Sequence, residues 1–226
     1  MELLVFGHSG AKVLVFPTRE GRFYDYENWG LVEALRRSID GGYIRLFCVD
    51  GVDSESLYCR SVPPSARTSR HRQYESYILH EVIPFMLSEN GVPSLIVHGC
   101  SIGAYHAINL ALRYPTLFCK VVALSGRYDL TRPVGLFEDL FGGYYDQDIY
   151  FITPNHFLPN LNDSNLLDQM RRMDITLAVG VQDPFYESNR VLSRALTDKD
   201  IPHRLVFWPG EAHRARHWRE MVPHYL

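Results

Sequence analysis

The sequence predicts an α/β fold: a mainly parallel central sheet of about seven strands with helices on both faces. Three observations carry this expectation. Short β-rich apolar runs alternate with longer stretches of helical periodicity, the pattern of repeated βαβ units. The run at residues 95–98 is apolar on both faces, as a central parallel strand is. The chain has 226 residues, of which 46% are hydrophobic and 22% charged, enough for one domain, 1–226, with a substantial core.

The elements follow in order. Residues 3–6 and 13–16 read as strands, and His8-Ser9-Gly10 between them suggests a hairpin. Asn28 is placed to cap a helix over 30–39, which Gly41-Gly42 ends. Residues 43–49 form the third strand. The longest helical pattern runs from 69 to about 88, with Tyr74, Tyr77, Ile78, Val82 and Phe85 on one face and Pro84 expected to kink it. A strand at 95–98 leads into a helix over 102–113, which Tyr114-Pro115 stops. Strands at 121–124, 175–179 and 205–208, a helix at 186–196 and a last helix at about 215–225 complete the series. Residues 128–172 break the rhythm. Rich in Gly, Pro, Asn, Asp and Tyr, with a weak helical pattern at 136–141, they read as a short insertion over the site, after the sixth strand.

Composition removes several classes of function. A net charge of −3 gives no field for a polyanion, so nucleic acid is not an expected partner. The N-terminal apolar run lacks a basic flank and reads as a strand rather than a signal peptide. No apolar stretch approaches the ~18 residues of a membrane span. Cys48, Cys59, Cys100 and Cys119 form no C-x-x-C pair, which fits buried thiols in a reducing compartment; a soluble cytoplasmic protein is expected.

The strongest chemical signal is Gly99-Cys100-Ser101-Ile102-Gly103. It directly follows a buried strand and directly opens a helix, the setting in which a G-x-S-x-G turn presents a serine nucleophile. Glycines relieve crowding at the sharp turn, and the helix N-terminus aims N–H groups at any oxyanion formed there. Ser101 could instead serve only as a helix cap. Cys100 occupies the position of the turn that points back into the protein.

A serine hydroxyl needs a histidine to take its proton, and the histidine needs a carboxylate to fix its tautomer. Of ten histidines, His203, His213, His217 and His224 follow the last candidate strands. His213 lies on the loop leaving the carboxyl end of the strand at 205–208 and is favoured; His217, one helical turn later, is the alternative. Asp183, in Gly180-Val181-Gln182-Asp183-Pro184 after the strand at 175–179, is the favoured acid, and Asp129 the runner-up. The oxyanion hole is assigned to the N–H of Ile102 and to Thr18 or Arg19 after the second strand, because Pro17 has no N–H.

These residues resemble the α/β-hydrolase superfamily, and most of all its small, nearly capless esterases, similar to esterase D and the feruloyl and acetyl-xylan esterases. The likeness spans nearly the whole chain. It rests on Phe16-Pro17-Thr18 with Gly21-Arg22-Phe23, on Cys48-Val49-Asp50 with Asp53-Ser54-Glu55-Ser56, and on Ser101-Ile102-Gly103-Ala104-Tyr105-His106-Ala107. Leu124-Ser125-Gly126, the Gly180 to Pro184 segment and His213 with Trp218 add to it. The resemblance implies the α/β-hydrolase fold, a Ser101–Asp183–His213 triad, and no metal or organic cofactor. One departure keeps His217 in play: such enzymes often place Asp-Trp directly after the catalytic histidine, whereas Arg214-Ala215 follow here.

The expected activity is serine carboxylic-ester hydrolysis through an acyl-enzyme, on small-molecule esters of short-chain, carbohydrate or aromatic acid type. An acyltransferase using the same acyl-enzyme and a non-catalytic ligand-binding protein of this fold are the alternatives. Tyr24, Tyr105 and Trp218 are the candidate substrate contacts, and Tyr26, Trp29, Tyr144 and Tyr145 could join them or simply pack. Arg67, Arg70, His71 and Arg72 read as a solvated helix face. Arg214, Arg216 and Arg219 ring the favoured histidine, as surface charge or as an attraction for an acidic substrate.

Overall fold

A computed structural model describes residues 1–89 and 95–226. Its strands are β1 (Leu3–Phe6), β2 (Ala11–Phe16), β3 (Ile44–Val49), β4 (Leu95–Cys100), β5 (Phe118–Leu124), β6 (Asp174–Gly180) and β7 (His203–Trp208). They form one seven-stranded sheet in the order β1-β3-β2-β4-β5-β6-β7. Among the described residues only β1 runs antiparallel to its neighbour; every other pair is parallel.

The expected hairpin between the first two strands is absent. β1 pairs with β3, which lies between it and β2. The reason is burial. Val13, Leu14, Val15 and Phe16 are buried on both faces of the sheet, so β2 takes an interior place between two parallel neighbours, whereas half-buried β1 suits an edge.

Successive residues of β2 feed two different cores. Leu14 and Phe16 face a layer made of α4 (Pro64–Tyr77), α5 (Ile83–Ser88), α6 (Ile102–Arg113) and α10 (Tyr186–Asp198). Val13 and Val15 face the opposite layer, made of α1 (Asp25–Asn28), α2 (Leu31–Ala34), α3 (Arg36–Asp40) and α11 (Ala215–Tyr225). The single helix expected over 30–39 is thus three short ones. Gly30 stands in the left-handed region at the start of α2, and the chain turns again at Leu35.

The long helical pattern begins earlier than expected, at Pro64. A π-helical turn, Ile78–Val82, is inserted ahead of Pro84 and widens the ladder where the proline has no N–H to give and its ring would crowd the preceding turn. The basic stretch on α4 is not a solvated face. Arg70 and Arg72 point outward to Glu55 and Asp148, but Arg67 and His71 are buried. Arg67 donates to the carbonyl of Leu140, tying α4 to the insertion. Among the cysteines, Cys48 and Cys100 are buried, Cys59 is half-buried and Cys119 is exposed.

The insertion leaves β5 and returns to β6, so it follows the fifth strand of this sheet, not the sixth. The expected helix at 136–141 does not form; Val134 bridges Phe137, and Leu136 is exposed. The helices lie further on: α7 (Gln147–Phe151), α8 (Pro154–Phe157) and α9 (Ser164–Met170). Two of them carry N-caps readable in sequence, Asp146 accepting from the N–H of Ile149 and Asp163 from that of Leu166. No helix among the described residues is long and apolar enough to cross a membrane.

The chain steps from β2 to β3 on one side and then returns to place β4 on the other side of β2. The loops after β2 and β4 therefore part at a switch point at the carboxyl edge of the sheet, where open α/β sheets bind ligands. Thr18 and Arg19 follow β2, and Ser101 follows β4.

Candidate active site

Ser101 is held on a strained turn, with φ 58 and ψ −121, and its N–H donates to the carbonyl of Leu124 at 2.8 Å. A non-glycine residue pays for such a conformation only where its surroundings impose it. They do so here by close approach. A Cβ on Gly103 would stand 2.6 Å from the carbonyl oxygens of Phe16 and Pro17, and one on Gly99 would stand 2.2 Å from the backbone of Gly103. The two glycines let strand, turn and helix close on one another and bring the loop after β2 against the start of α6. The N–H of Ile102, the first residue of α6, has no intrahelical acceptor and lies beside the serine. Cys100 points away into the core, where burial pushes its thiol pKa up, so the residue next to Ser101 offers no thiolate.

The loop after β7 brings His213 to Ser101. It is anchored to the loop after β6 by bonds from the N–H of Val181 to the carbonyl of Trp208 and from the N–H of Gln182 to that of Gly210, both 2.9 Å. Ser125, itself strained at φ 56, donates to the carbonyl of Ala212 at 3.4 Å and accepts from the indole N–H of Trp218 at 3.3 Å. The imidazole then spans the gap: Nε2 lies 3.1 Å from the Ser101 hydroxyl and Nδ1 lies 3.0 Å from Oδ2 of Asp183. Oδ1 of Asp183 accepts from the N–H of Phe185 at 2.8 Å, so the fully buried carboxylate has a donor on each oxygen. This arrangement favours the tautomer with the proton on Nδ1 and leaves Nε2 to accept from the serine. The rings of Phe185 and Trp218 meet the imidazole edge to face at 5.3 and 5.4 Å and hold its plane.

The alternatives are engaged elsewhere. His217 sits on α11 and accepts from Arg216. Asp129 accepts from Thr131 and pairs with His156 at 3.2 Å. Burial alone would raise the Asp129 pKa, but the bonds from His156 and Thr131 outweigh it and hold the carboxyl below its ordinary range.

Ser101 and His213 open into a cleft of about 250 Å³, which Thr18, Arg19 and Ile102 also border. Trp218 lines it, although the ring is buried mostly against His213 and Trp29. Two expected substrate contacts are not there. Tyr105 is fully buried on α6, with its hydroxyl donating to the carbonyl of Ile152, because α6 is buried on every side. Tyr24 is exposed and packs against Phe23, outside the cleft. Tyr26 and Trp29 pack in the core layer of α1 and α2, and Tyr144 and Tyr145 stand exposed on the insertion. Arg214, Arg216 and Arg219 are exposed, and none lines the cleft.

Sequence reasoning missed four residues of the cleft wall: Tyr58, Arg127, Phe137 and Phe185. Only Phe185 and Arg127 had a readable signal, since each follows a motif at the carboxyl end of a strand. Among the described residues no group of three or more His, Cys, Asp or Glu side chains is placed to hold a metal ion.

A family model described as "Putative esterase" matches residues 23–223. No curated protein sequence matches the chain. Among solved structures, a ferulic acid esterase superposes with a TM-score of 0.76 over 98% of this chain and 89% of its own, at 14% identity. An S-formylglutathione hydrolase from Agrobacterium tumefaciens gives 0.68 over 96% and 84%, at 16% identity. Est1E from Butyrivibrio proteoclasticus gives 0.62 over 99% and 91%, at 15% identity. At these identities the likeness is one of fold. The family match runs from the loop after β2 to the last turn of α11, and with it the chain belongs to the esterase family, as a serine esterase of the α/β-hydrolase fold.

Proposed function

We propose that the enzyme hydrolyses carboxylic esters with Ser101 as nucleophile, His213 as general base and acid, and Asp183 as the group that orients and stabilises His213. The hydrogen-bonded path from Asp183 through His213 to Ser101 carries this reading. As the serine oxygen bonds to the ester carbonyl carbon, its proton passes to Nε2 of His213, and Asp183 offsets the charge on the imidazolium. The carbonyl oxygen becomes an oxyanion facing the N–H of Ile102, with Thr18 or Arg19 supplying a second donor. His213 then protonates the departing alcohol, and the acyl group stays on Ser101. Water, deprotonated by His213, attacks the acyl carbon and releases the acid, returning the proton to the serine.

The cleft's size and the aromatic wall of Tyr58, Phe137, Phe185 and Trp218 support short-chain or aromatic acyl groups, free or carried on a carbohydrate alcohol. The fold shared with a ferulic acid esterase points the same way. The test is steady-state turnover of 4-nitrophenyl esters from acetate to dodecanoate, together with fluorophosphonate labelling. The wild-type protein is expected to label at Ser101 and to prefer short acyl chains. Ser101→Ala is expected to lose turnover by about 10³-fold or more with its melting temperature kept. A folded wild-type protein that does not label would overturn the nucleophile, and a preference for dodecanoate would overturn the substrate class.

A further inference from the structure

One wall of the cleft carries two cationic side chains that form no ion pair among the described residues. Arg127, at the carboxyl end of β5, is 3% exposed yet forms no ion pair among the described residues. Its hydrogen bonds go to neutral carbonyls, and its guanidinium lies 5.9 Å from the centroid of the Phe185 ring. Nε donates to Asp129 at 3.2 Å, and Nη2 donates to Arg132 at 2.7 Å and Glu138 at 2.8 Å. Nη1 has no partner among the described residues and is not one of the buried unpaired atoms. A guanidinium stays protonated in a protein, so the charge remains despite burial. The carboxylates nearest to it are committed elsewhere: Asp129 to Thr131 and His156, and Asp139 to the N–H groups of Phe141 and Gly143.

Next to it stands Tyr58, whose hydroxyl also has no partner among the described residues. Burial and then the charge of Asp53 push its pKa up to about 12, so it remains a donor. The guanidinium of Arg19 lies 5.6 Å from the centroid of that ring and forms no ion pair among the described residues. Three donors, two of them cationic, thus share the cleft with Ser101, while the carboxylate of Asp183 is sealed under His213.

We propose that this wall is an anion subsite, and that the preferred substrates are esters carrying a carboxylate close to the scissile carbonyl. The proposal rests on the esterase reading of Ser101 and names the substrate class of that same site. Arg127 fixes the carboxylate through Nη1, Tyr58 donates beside it, and Arg19 closes over it from the solvent side. A buried cation held by carbonyls and an aromatic face gains a charge-assisted hydrogen bond from such a substrate and nothing comparable from a neutral one.

Two matched pairs of chromogenic esters test this on the purified enzyme. Mono-4-nitrophenyl glutarate against 4-nitrophenyl pentanoate puts the carboxylate on the acyl side. 3-Carboxy-4-nitrophenyl butyrate against 4-nitrophenyl butyrate puts it on the leaving group. In at least one pair the anionic ester is expected to have a kcat/KM about tenfold higher, mostly through a lower KM, and raised ionic strength is expected to shrink the ratio. Arg127→Met, Arg19→Gln and Tyr58→Phe should each reduce that ratio; if Arg127→Met does not fold, the other two decide. Ratios at or below one in both pairs, with the neutral esters still turned over, would overturn the subsite and leave the esterase standing. A ratio unmoved by both Arg19→Gln and Tyr58→Phe would also overturn it. No turnover of any of the four esters, with no fluorophosphonate label on Ser101, would overturn the esterase reading and the subsite together.

Discussion

The Asp183–His213 pair at the start of α6 and the Asp53–His106 pair farther along it use the same two residue types at nearly the same separation, 3.0 and 3.1 Å. What surrounds them differs. His213 is partly open to the cleft, and its second nitrogen meets a hydroxyl on a strained turn. His106 is closed in by the rings of Phe16, His71, Tyr74 and Tyr105, at centroid distances of 5.3 to 5.9 Å, around a cavity of about 10 Å³. Among the described residues no hydroxyl is bonded to its other nitrogen. An aspartate–histidine pair is thus chemistry in waiting; a nucleophile on one side and access for substrate on the other turn it into a site. A third pair, Asp129–His156, makes the same point, since Tyr145 occupies the second nitrogen and the set holds the insertion together.

The contrast can be broken most sharply by exchanging roles. His213→Gln is expected to lower kcat by about 10⁴-fold or more, whereas His106→Gln should change kcat by no more than a few-fold and instead lower stability by about 1–3 kcal/mol. Ester kinetics beside thermal melts separates the two, and a large kcat loss in His106→Gln would erase the distinction.

The carboxylates give the next contrast. Asp183→Asn should cost about 10³- to 10⁴-fold in kcat by favouring the wrong tautomer of His213. Asp129→Asn, which touches only the insertion, should leave kcat within a few-fold. If Asp129→Asn were the more damaging of the two, the assignment of the acid would be wrong.

The smallest effect is on stability and concerns histidines buried without charge. Burial pulls the pKa of His98 down to about 4, only partly offset by its bond to the carbonyl of Val122. His71 is pulled well below its ordinary value by burial first and then by His106 and Arg113. Both are neutral in the fold and bind protons in the unfolded chain below about pH 6.5, so the unfolded state holds more protons there. Stability is therefore complete above that pH and falls as pH drops toward 4. His98 alone accounts for a loss of about 3 kcal/mol, and the slope ends below its folded pKa. Melting temperatures from pH 7.5 to 4 read this out. A curve for His98→Asn as steep as that of the wild type would show that His98 does not carry it.

Much of the site was legible because its signals are local. A strand running into G-x-S-x-G and then a helix states its own geometry, and α6 ends where Tyr114-Pro115 places its end. His213 and Asp183 could be anticipated because each follows a strand at its carboxyl end, and parallel strands deliver those ends to one edge. The hairpin expectation failed because it asked a local turn to decide a partner: nothing in His8-Ser9-Gly10 says that β3 will come between β1 and β2. Arg67 and His71 were read as solvated because their type suggests water, whereas α4 turns that face toward α6 and the insertion. Tyr105 was assigned to the pocket on its type alone, yet α6 is covered on all sides.

The sequence by itself determined the alternation of strands and helices, the strained serine turn and the placing of Ser101, Asp183 and His213 each just after a strand, because each is written in neighbouring residues whose sterics and hydrogen bonding act over a few positions. The tertiary structure alone decided which strand lies beside which, which aspartate–histidine pair meets the hydroxyl of Ser101, and that Arg127, Tyr58 and Arg19 share one wall. These depend on packing between residues far apart in the chain, where burial and close approach, not residue type, select the partner.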